Sequence, residues 1–173
     1  MKKGLIVCIV IGVISIAAIG MIYYRDTQDV LEHIVDSSLF EIGYQLNDAV
    51  EDLSKETNSK TIGNIERRTG SSCFEFAENI YYISIQQSAG KWKEYDVSDL
   101  AGWLYKIHTK ELSKKETSII KTQIETLNEE YKGIVDALKD TEDMYNYTDD
   151  PKGIRQKLKR INSICAEYRQ ELN

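Results

Sequence analysis

The stretch SKKETSIIKTQIETLNEEYKGIVDALK, residues 113–139, decides the predicted fold. Its apolar residues recur with gaps of four and three, the spacing of a helix that buries one face against other helices. Ser113 and Glu116 have the spacing of a capping box, which satisfies two backbone donors where a helix begins. We predict a helix from Ser113 to about residue 145. Its apolar face is Ile120, Ile124, Leu127, Tyr131, Ile134 and Leu138.

Four further segments share this spacing, and none shows the sustained alternation of a strand. A cap at Asp96 begins one helix, and Asp150 followed by Pro151 begins the last. The predicted apolar faces are Val35, Leu39, Ile42, Leu46, Ala49 and Leu53 in the first helix; Ile62, Ile65, Cys73, Phe76, Ile80 and Ile83 in 60–88; Val97, Leu100, Leu104 and Ile107 in 97–112; and Ile154, Leu158, Ile161, Cys165, Tyr168 and Leu172 in the last. The predicted fold class is all-α, an antiparallel four- or five-helix bundle.

The chain begins with a long apolar segment, MKKGLIVCIVIGVISIAAIGMIYYRD. Residues 4–24 contain no charge, and roughly 20 such residues cross the hydrocarbon core of a bilayer. Lys2 and Lys3 precede this segment, so the positive-inside rule places the N-terminus in the cytoplasm. Tyr23 and Tyr24 are expected at the outer interface. The predicted organisation at the cell membrane is a cytoplasmic stub (1–3), a transmembrane helix (4–24) and an extracytoplasmic helical bundle domain (25–173).

The alternative to an anchor is a signal peptide, cut after residues 18–20 or 15–17, where small residues occur. The apolar run is longer than the core of a typical signal peptide, and neither a charge nor a turn breaker separates that core from the cut. We therefore interpret the segment as an anchor. Because Gly43 is the one breaker between Tyr24 and Glu56, we expect the membrane helix to continue outward as one helix of about fifty residues, on the order of 75 Å long.

The charges of the chain are unevenly distributed around a net charge of −6. So acidic a protein is a poor non-specific binder of nucleic acid, because such binding depends on neutralising phosphates. Residues 26–56 hold nine acidic residues and one basic residue, whereas 151–173 hold six basic and two acidic residues. Since opposite charges beside apolar seams select helix partners, we expect the last helix to pack beside the first and to return the C-terminus toward the stalk.

The basic residues of the last helix also form a candidate interaction face for anionic lipid or wall polymer. The alternative, which we favour, is a face that is solvated or paired within the bundle. The residues of this face are Lys152, Arg155, Lys159 and Arg160.

The sequence contains no recognisable catalytic or metal-binding set. His33 and His108 are the two histidines, and neither belongs to a metal-ligand spacing. There is no Glu-x-x-His pair, no glycine-rich phosphate loop and no nucleophile elbow. We therefore predict a protein that is not an enzyme and that has no cofactor.

Two of the three cysteines, Cys73 and Cys165, fall on predicted apolar faces. Free cysteines in such positions behave as small core residues. The alternative is a disulfide between them, which the compartment outside the cytoplasm allows. That bond requires the two Cα atoms to lie within about 7 Å.

The order of the segments resembles that of a bacterial spore protein. An N-terminal membrane helix is followed by LEHIVDSSLFEIGYQLNDAVEDLSKE (31–56) and by DLAGWLYKIHTKELSKKETSIIKTQIETLNEEY (99–131), in which Glu-Leu-Ser-x-x-Glu begins a helix. This arrangement is similar to the N-terminal helical half of the germination protein that partners the spore cortex-lytic hydrolase. The resemblance covers roughly residues 1–138 and implies a membrane-anchored helical half. The family's second, α/β half has no counterpart in this sequence.

These features predict a single-pass, membrane-anchored, non-enzymatic protein that acts as an extracytoplasmic protein-interaction or assembly module. The expected partners are the membrane and another membrane or envelope protein, or a second copy of the chain, and not nucleic acid. The alternative is a small-ligand sensor ectodomain, like the helical bundles of chemotaxis receptors. Such a sensor would signal laterally through a membrane partner, because the predicted cytoplasmic portion is residues 1–3 alone.

Overall fold

A computed structural model of the chain describes residues 2–86, 92–108, 111–139 and 150–171, and the side chains of 13–84, 93–107, 111–138 and 150–171. Helices make up nearly all of these residues, and no strand occurs among them, so the predicted all-α class is confirmed. The helices are α1 (Lys2–Lys55), α2 (Ser59–Ile65), α3 (Ser71–Gln86), α4 (Ser98–His108), α5 (Lys114–Lys139) and α6 (Pro151–Glu171). A π-helical turn, Glu66–Gly70, joins α2 to α3, and a 3₁₀ turn, Trp92–Glu94, precedes α4.

The chain divides into two compact units. The first, Met1–Ile34, contains the first part of α1, and its described side chains from 13 to 26, Tyr23 and Tyr24 among them, are exposed. The second, Val35–Asn173, contains the rest of α1 and all the other helices.

The predicted membrane anchor stays a prediction. Within the part of the chain that the structure describes, no helix has both the length and the apolar character needed to cross a membrane. The predicted span 4–24 falls partly on residues whose side chains lie outside the described ones, and so do the side chains of Lys2 and Lys3.

The predicted starts of α5 and α6 are confirmed by their caps. The Ser113 amide donates to Oε2 of Glu116 at 2.9 Å, and the Glu116 amide donates to Oγ of Ser113 at 3.3 Å, which is the reciprocal geometry of a capping box. Oδ1 of Asp150 accepts a hydrogen bond from the Gly153 amide at 2.8 Å, and Pro151 is the first residue of α6. The part of the predicted helix beyond Lys139 lies outside the described residues.

Two further helix starts depend on short polar side chains. Oδ1 of Asp96 accepts a hydrogen bond from the Ser98 amide at 2.8 Å, as the sequence predicted for the start of α4. Asn58, which the sequence analysis did not single out, caps α2 by accepting a hydrogen bond from the Thr61 amide at 2.8 Å. Side-chain oxygens in these positions satisfy backbone donors that have no partner inside the helix.

The predicted apolar faces form the core of the second unit. All their residues are buried except four: Ile83, Leu138 and Tyr168 are partly exposed, and Leu172 lies outside the described side chains. Trp103 and Tyr131 are the largest of the fully buried side chains. Burial of these faces is the main stabilising contribution to the fold, because helices in proteins owe most of their stability to packing of an apolar face rather than to intrinsic helix propensity.

Side-chain contacts within the second unit define the order of its helices. α1 contacts α3 and α5, α4 contacts α3 and α6, and α5 also contacts α6, so the helices follow the closed order α1, α3, α4, α6, α5. The contacts are Gln45 with Ser72 (α1 to α3), Phe74 with Tyr105 (α3 to α4), Asp99 with Arg169 (α4 to α6), Glu130 with Arg160 (α5 to α6) and Gly43 with Tyr131 (α1 to α5).

The predicted return of the C-terminus toward the stalk is wrong. Nε2 of Gln123, near the start of α5, donates to Oε2 of Glu171 at the end of α6. The residue before the α5 cap, Leu112, accepts a hydrogen bond from Oγ of Ser59, just beyond the end of α1. The end of α6 therefore lies at the end of the bundle where α1 finishes. Charge asymmetry does not determine a neighbour when several helices carry acidic residues.

Candidate interaction surface

One flank of α1 forms a groove with α5, which we call the α1–α5 groove. The groove has a volume of about 330 Å³. Six of its residues, 40, 44 and 47 on α1 and 128, 132 and 135 on α5, repeat with gaps of four and three, as on the faces of helices that pack together. The lining residues are Phe40, Gly43, Tyr44, Asn47, Asn128, Lys132, Val135 and Asp136.

Gly43 allows α1 and α5 to approach each other closely. A Cβ atom at this position would overlap Cγ2 of Val135 and would lie 3.0 Å from Cδ1 of Tyr131. The position can therefore hold no side chain at this separation of the helices. In the sequence Gly43 stands out only as the one breaker between Tyr24 and Glu56, whereas the structure gives it a packing role.

The walls of the α1–α5 groove are exposed aromatic side chains. Phe40 is 38% exposed and Tyr44 is 59% exposed, and both lie on the flank of α1 that its core residues leave free. The rim is polar: the Lys132 ammonium group pairs with Glu129, and Asn47 and Asp136 are exposed. An apolar centre with a polar rim is the usual arrangement of a protein-binding surface.

The opposite flank of α1 forms a second depression with α3, which we call the α1–α3 cleft. Its volume is about 250 Å³, and hydroxyl, amide and carboxylate groups line it above a buried phenylalanine. Nε2 of Gln45 donates to Oε1 of Glu41 at 2.7 Å and contacts Oγ of Ser72 at 3.0 Å, so hydrogen bonds join the two helices beside the cleft. The lining residues are Ser37, Ser38, Glu41, Ser72, Glu75, Phe76 and Asn79.

The candidate basic face of α6 is partly engaged within the bundle. Nε of Arg155 lies 2.7 Å from Oε2 of Glu94, and its guanidinium carbon lies 5.6 Å from the centroid of the Tyr95 ring. Nη2 of Arg160 lies 2.6 Å from Oε1 of Glu130. Arg155 and Arg160 are thus paired within the bundle, which is one of the two arrangements, solvated or paired, in the favoured interpretation of this face.

Lys152 and Lys159, the other two members of that face, are exposed. A third arginine of α6, Arg169, pairs with Asp99 at 3.1 Å. The described ion pairs of α6 therefore join it to the 3₁₀ turn, to α4 and to α5, rather than to the acidic residues of α1.

Cys73 and Cys165 are free thiols in the core. The structure therefore agrees with their interpretation as core residues and contradicts the alternative of a disulfide between them. Burial raises the pKa of each thiol above its ordinary value. Burial also raises the pKa of the Tyr131 hydroxyl, with a contribution from nearby Cys73. Groups held protonated in this way are packing residues and not nucleophiles.

The described residues contain no group of three or more histidine, cysteine and acidic residues that could hold a metal ion. His33 is exposed in the first unit, and the side chain of His108 lies outside the described ones.

No known protein family, curated protein or solved structure matches the chain. The interpretation of the two depressions beside α1 therefore rests on their geometry and chemistry.

Proposed function

We propose that the chain is a single-pass, membrane-anchored, non-enzymatic module whose helical unit binds another membrane or envelope protein outside the cytoplasm. The observation that carries this proposal is the α1–α5 groove, a concave surface with exposed aromatic walls and a polar rim. Aromatic side chains that partly line a pocket are typical anchors of protein interfaces, because they bury a large area when the partner docks.

The anchor in this proposal is supported by the sequence. Residues 4–24 are uncharged and long enough to span, and the lysines before them set the orientation. The exposed rings of Tyr23 and Tyr24 suit a position at the membrane interface. Alkaline extraction of membranes, followed by mass spectrometry of the N-terminus, tests the anchor. Mature protein in the medium that lacks its first twenty or so residues would overturn it.

Photo-crosslinking in intact cells tests the interaction. A photoreactive phenylalanine derivative replaces Tyr44 in the groove or, as a matched control, Tyr105 on α4, which is 56% exposed. We expect discrete crosslinked products from position 44 and not from position 105. The product should disappear when Val135→Trp fills the groove. Equal crosslinking from both positions, or none from position 44, would contradict the proposal.

A sensor ectodomain is the second candidate, and the α1–α3 cleft is the observation that favours it. Three serine hydroxyls and two carboxylates converge on a volume suited to a small cationic or polyhydroxylated solute. Thermal-shift screening of the full chain with amines and sugars separates the two functions. A stabilising solute whose effect is lost in Glu75→Gln supports the sensor, and uniform absence of stabilisation supports the interaction module.

A further inference from the structure

We propose that the α1–α5 groove receives a single amphipathic helix of another protein, with basic residues beside its apolar face. The docked helix packs against α1 and α5 as an additional member of the bundle. This inference rests on the proposed function, because it names the class of partner that the groove fits.

The spacing of the lining residues indicates a helical occupant. The side chains of residues 40, 44 and 47 on α1, and of 128, 132 and 135 on α5, repeat with gaps of four and then three, and the lining also includes Gly43 and Asp136. A third helix with the same gaps places its side chains between those of the two walls, as in knobs-into-holes packing. An extended peptide repeats every second residue and does not match this spacing.

The extent of the groove sets how much of the partner is held. Each wall covers about seven residues, or about 10 Å along a helix at 1.5 Å per residue. This length corresponds to two turns of the docked helix, with anchors at positions i, i+3 or i+4, and i+7. The groove therefore holds a short, well-defined segment rather than a long coiled coil.

The two ends of the groove differ in polarity, which gives the partner a direction. α1 and α5 are antiparallel, since Gly43 contacts Tyr131 and Val135 while the residue beyond the end of α1, Ser59, contacts the residue before the α5 cap, Leu112. Antiparallel helices place the amides of residues 47 and 128 at one end of the groove, and the aromatic ring of residue 40, with the Asp136 carboxylate on the rim, at the other. We expect a polar anchor at the amide end and large apolar anchors at the aromatic end.

The charges beside the groove indicate a basic partner. On α1, Glu51 lies one helical turn beyond Asn47 and pairs with Lys55, and on α5 the rim lysine, Lys132, pairs with Glu129. Among the described residues this leaves Asp136, which is exposed on the rim, as the rim charge without a described ion-pair partner. Complementary charges at the rim of an interface raise the association rate and suppress wrong partners. Lysine or arginine beside the apolar face of the partner meets this requirement.

A displayed library of helices tests the inference. Each member is about 20 residues long, with apolar residues fixed at heptad a and d positions and the flanking e and g positions randomised. The library is selected on the full chain in detergent or nanodiscs, and in parallel on the Val135→Trp variant. We expect lysine and arginine to be enriched at the flanks on the wild type, and this enrichment to be lost on the variant.

Affinities of the selected peptides provide the quantitative test. We expect Val135→Trp, and separately Phe40→Ala with Tyr44→Ala, to weaken binding by about tenfold or more, as for the loss of an interface anchor. The matched control Phe74→Ala removes an aromatic side chain that is 50% exposed on α3 and should leave the affinity unchanged. Because the double alanine variant changes exposed residues alone, its effect does not depend on how the tryptophan is accommodated.

Two results would overturn the inference: neutral or acidic flanks among the selected peptides, or equal affinity for the wild type and both groove variants. Either result together with specific crosslinking from position 44 leaves the proposed function standing and removes the basic helix as the partner. Failure of both experiments removes the groove as an interaction site.

Discussion

The α1–α5 groove and the α1–α3 cleft share one helix, yet their chemistry is opposite. Phe40 and Tyr44 line the groove, whereas Ser37 and Glu41 line the cleft, each three positions earlier along the same helix. A shift of three residues falls about 60° short of a full helical turn, so the two members of each pair lie side by side on α1, and the boundary between the two depressions runs between them. The buried face fixes the fold, and the flanks beside it decide what the surface can bind.

The two depressions also differ in what holds their walls together. At the groove, α1 and α5 pack closely because Gly43 has no side chain to hold them apart. At the cleft, the amide of Gln45 joins α1 to α3 through hydrogen bonds. Close packing tolerates added volume poorly, whereas a hydrogen bond in a partly exposed position contributes modestly. We therefore expect changes at the groove floor to have the larger effects on stability.

Gly43→Ala should have the largest effect, a loss of about 2 kcal/mol in the free energy of unfolding, because the added methyl overpacks the contact with Val135 and Tyr131. Urea denaturation followed by circular dichroism measures the loss. Gly63→Ala is the control: its Cβ would meet nothing within 4 Å, and the change should stabilise α2 by about 0.5–1 kcal/mol. Equal effects of the two changes would show that α1 and α5 are not closely packed at Gly43.

Alkaline pH should destabilise the core behind both depressions. Burial holds the pKa of the Cys73 and Tyr131 side chains above the values of the unfolded chain. The unfolded state therefore loses its protons first, so stability is full below about pH 8.5 and then falls by up to about 1.4 kcal/mol per pH unit for each such group.

The change in slope identifies the groups. Above about pH 8.5, Cys73→Ala should reduce the slope of unfolding free energy against pH by the contribution of one group, up to about 1.4 kcal/mol per pH unit. Ile134→Val, a core change without a titrating group, should lower stability and leave the slope unchanged. An unchanged slope in Cys73→Ala would mean that this thiol is not buried in the folded protein.

Gln45→Ala should cost about 1 kcal/mol, because it removes the hydrogen bonds that join α1 to α3 at the cleft. Thermal denaturation with a matched Asn47→Ala control on the other flank measures the difference. A loss at Asn47 as large as that at Gln45 would remove the distinction between the two flanks of α1.

Tyr44→Ala should have the smallest effect, less than about 0.5 kcal/mol in stability, because its ring lies mainly in solvent. The same chemical denaturation measures it. A much larger loss would make Tyr44 a structural residue and would weaken its assignment to a binding surface.

The single-helix features of the fold were predictable from the sequence. The seam of α5, the capping box at Ser113 and the start of α6 at Pro151 are confirmed, because each depends on residues within a few positions of one another. Periodicity identifies which face of a helix is buried, and short polar side chains identify where it begins.

The arrangement of the helices, and with it the candidate site, was not predictable in the same way. The predicted direction of α6 was wrong, since its end lies beside Gln123. Its described arginine pairs are with Glu94, Asp99 and Glu130, and not with the acidic residues of α1 that the charge argument invoked. Several neighbours offered an acidic partner, so charge alone did not choose among them. The groove depends on the close packing of α1 against α5 at Gly43. A single sequence does not show which helices pack against each other.

The π-helical turn at Glu66–Gly70 holds one residue more than an ordinary helical turn between α2 and α3. Each residue of an α-helix adds about 100° of rotation, so an extra residue without such a turn would rotate everything after it. Deleting one residue from this turn should therefore restore an ordinary α-helical turn and keep Ser72, Glu75 and Asn79 beside α1. A homologue could be one residue shorter here and still present the polar lining of the cleft, whereas the same deletion inside α3 should remove it.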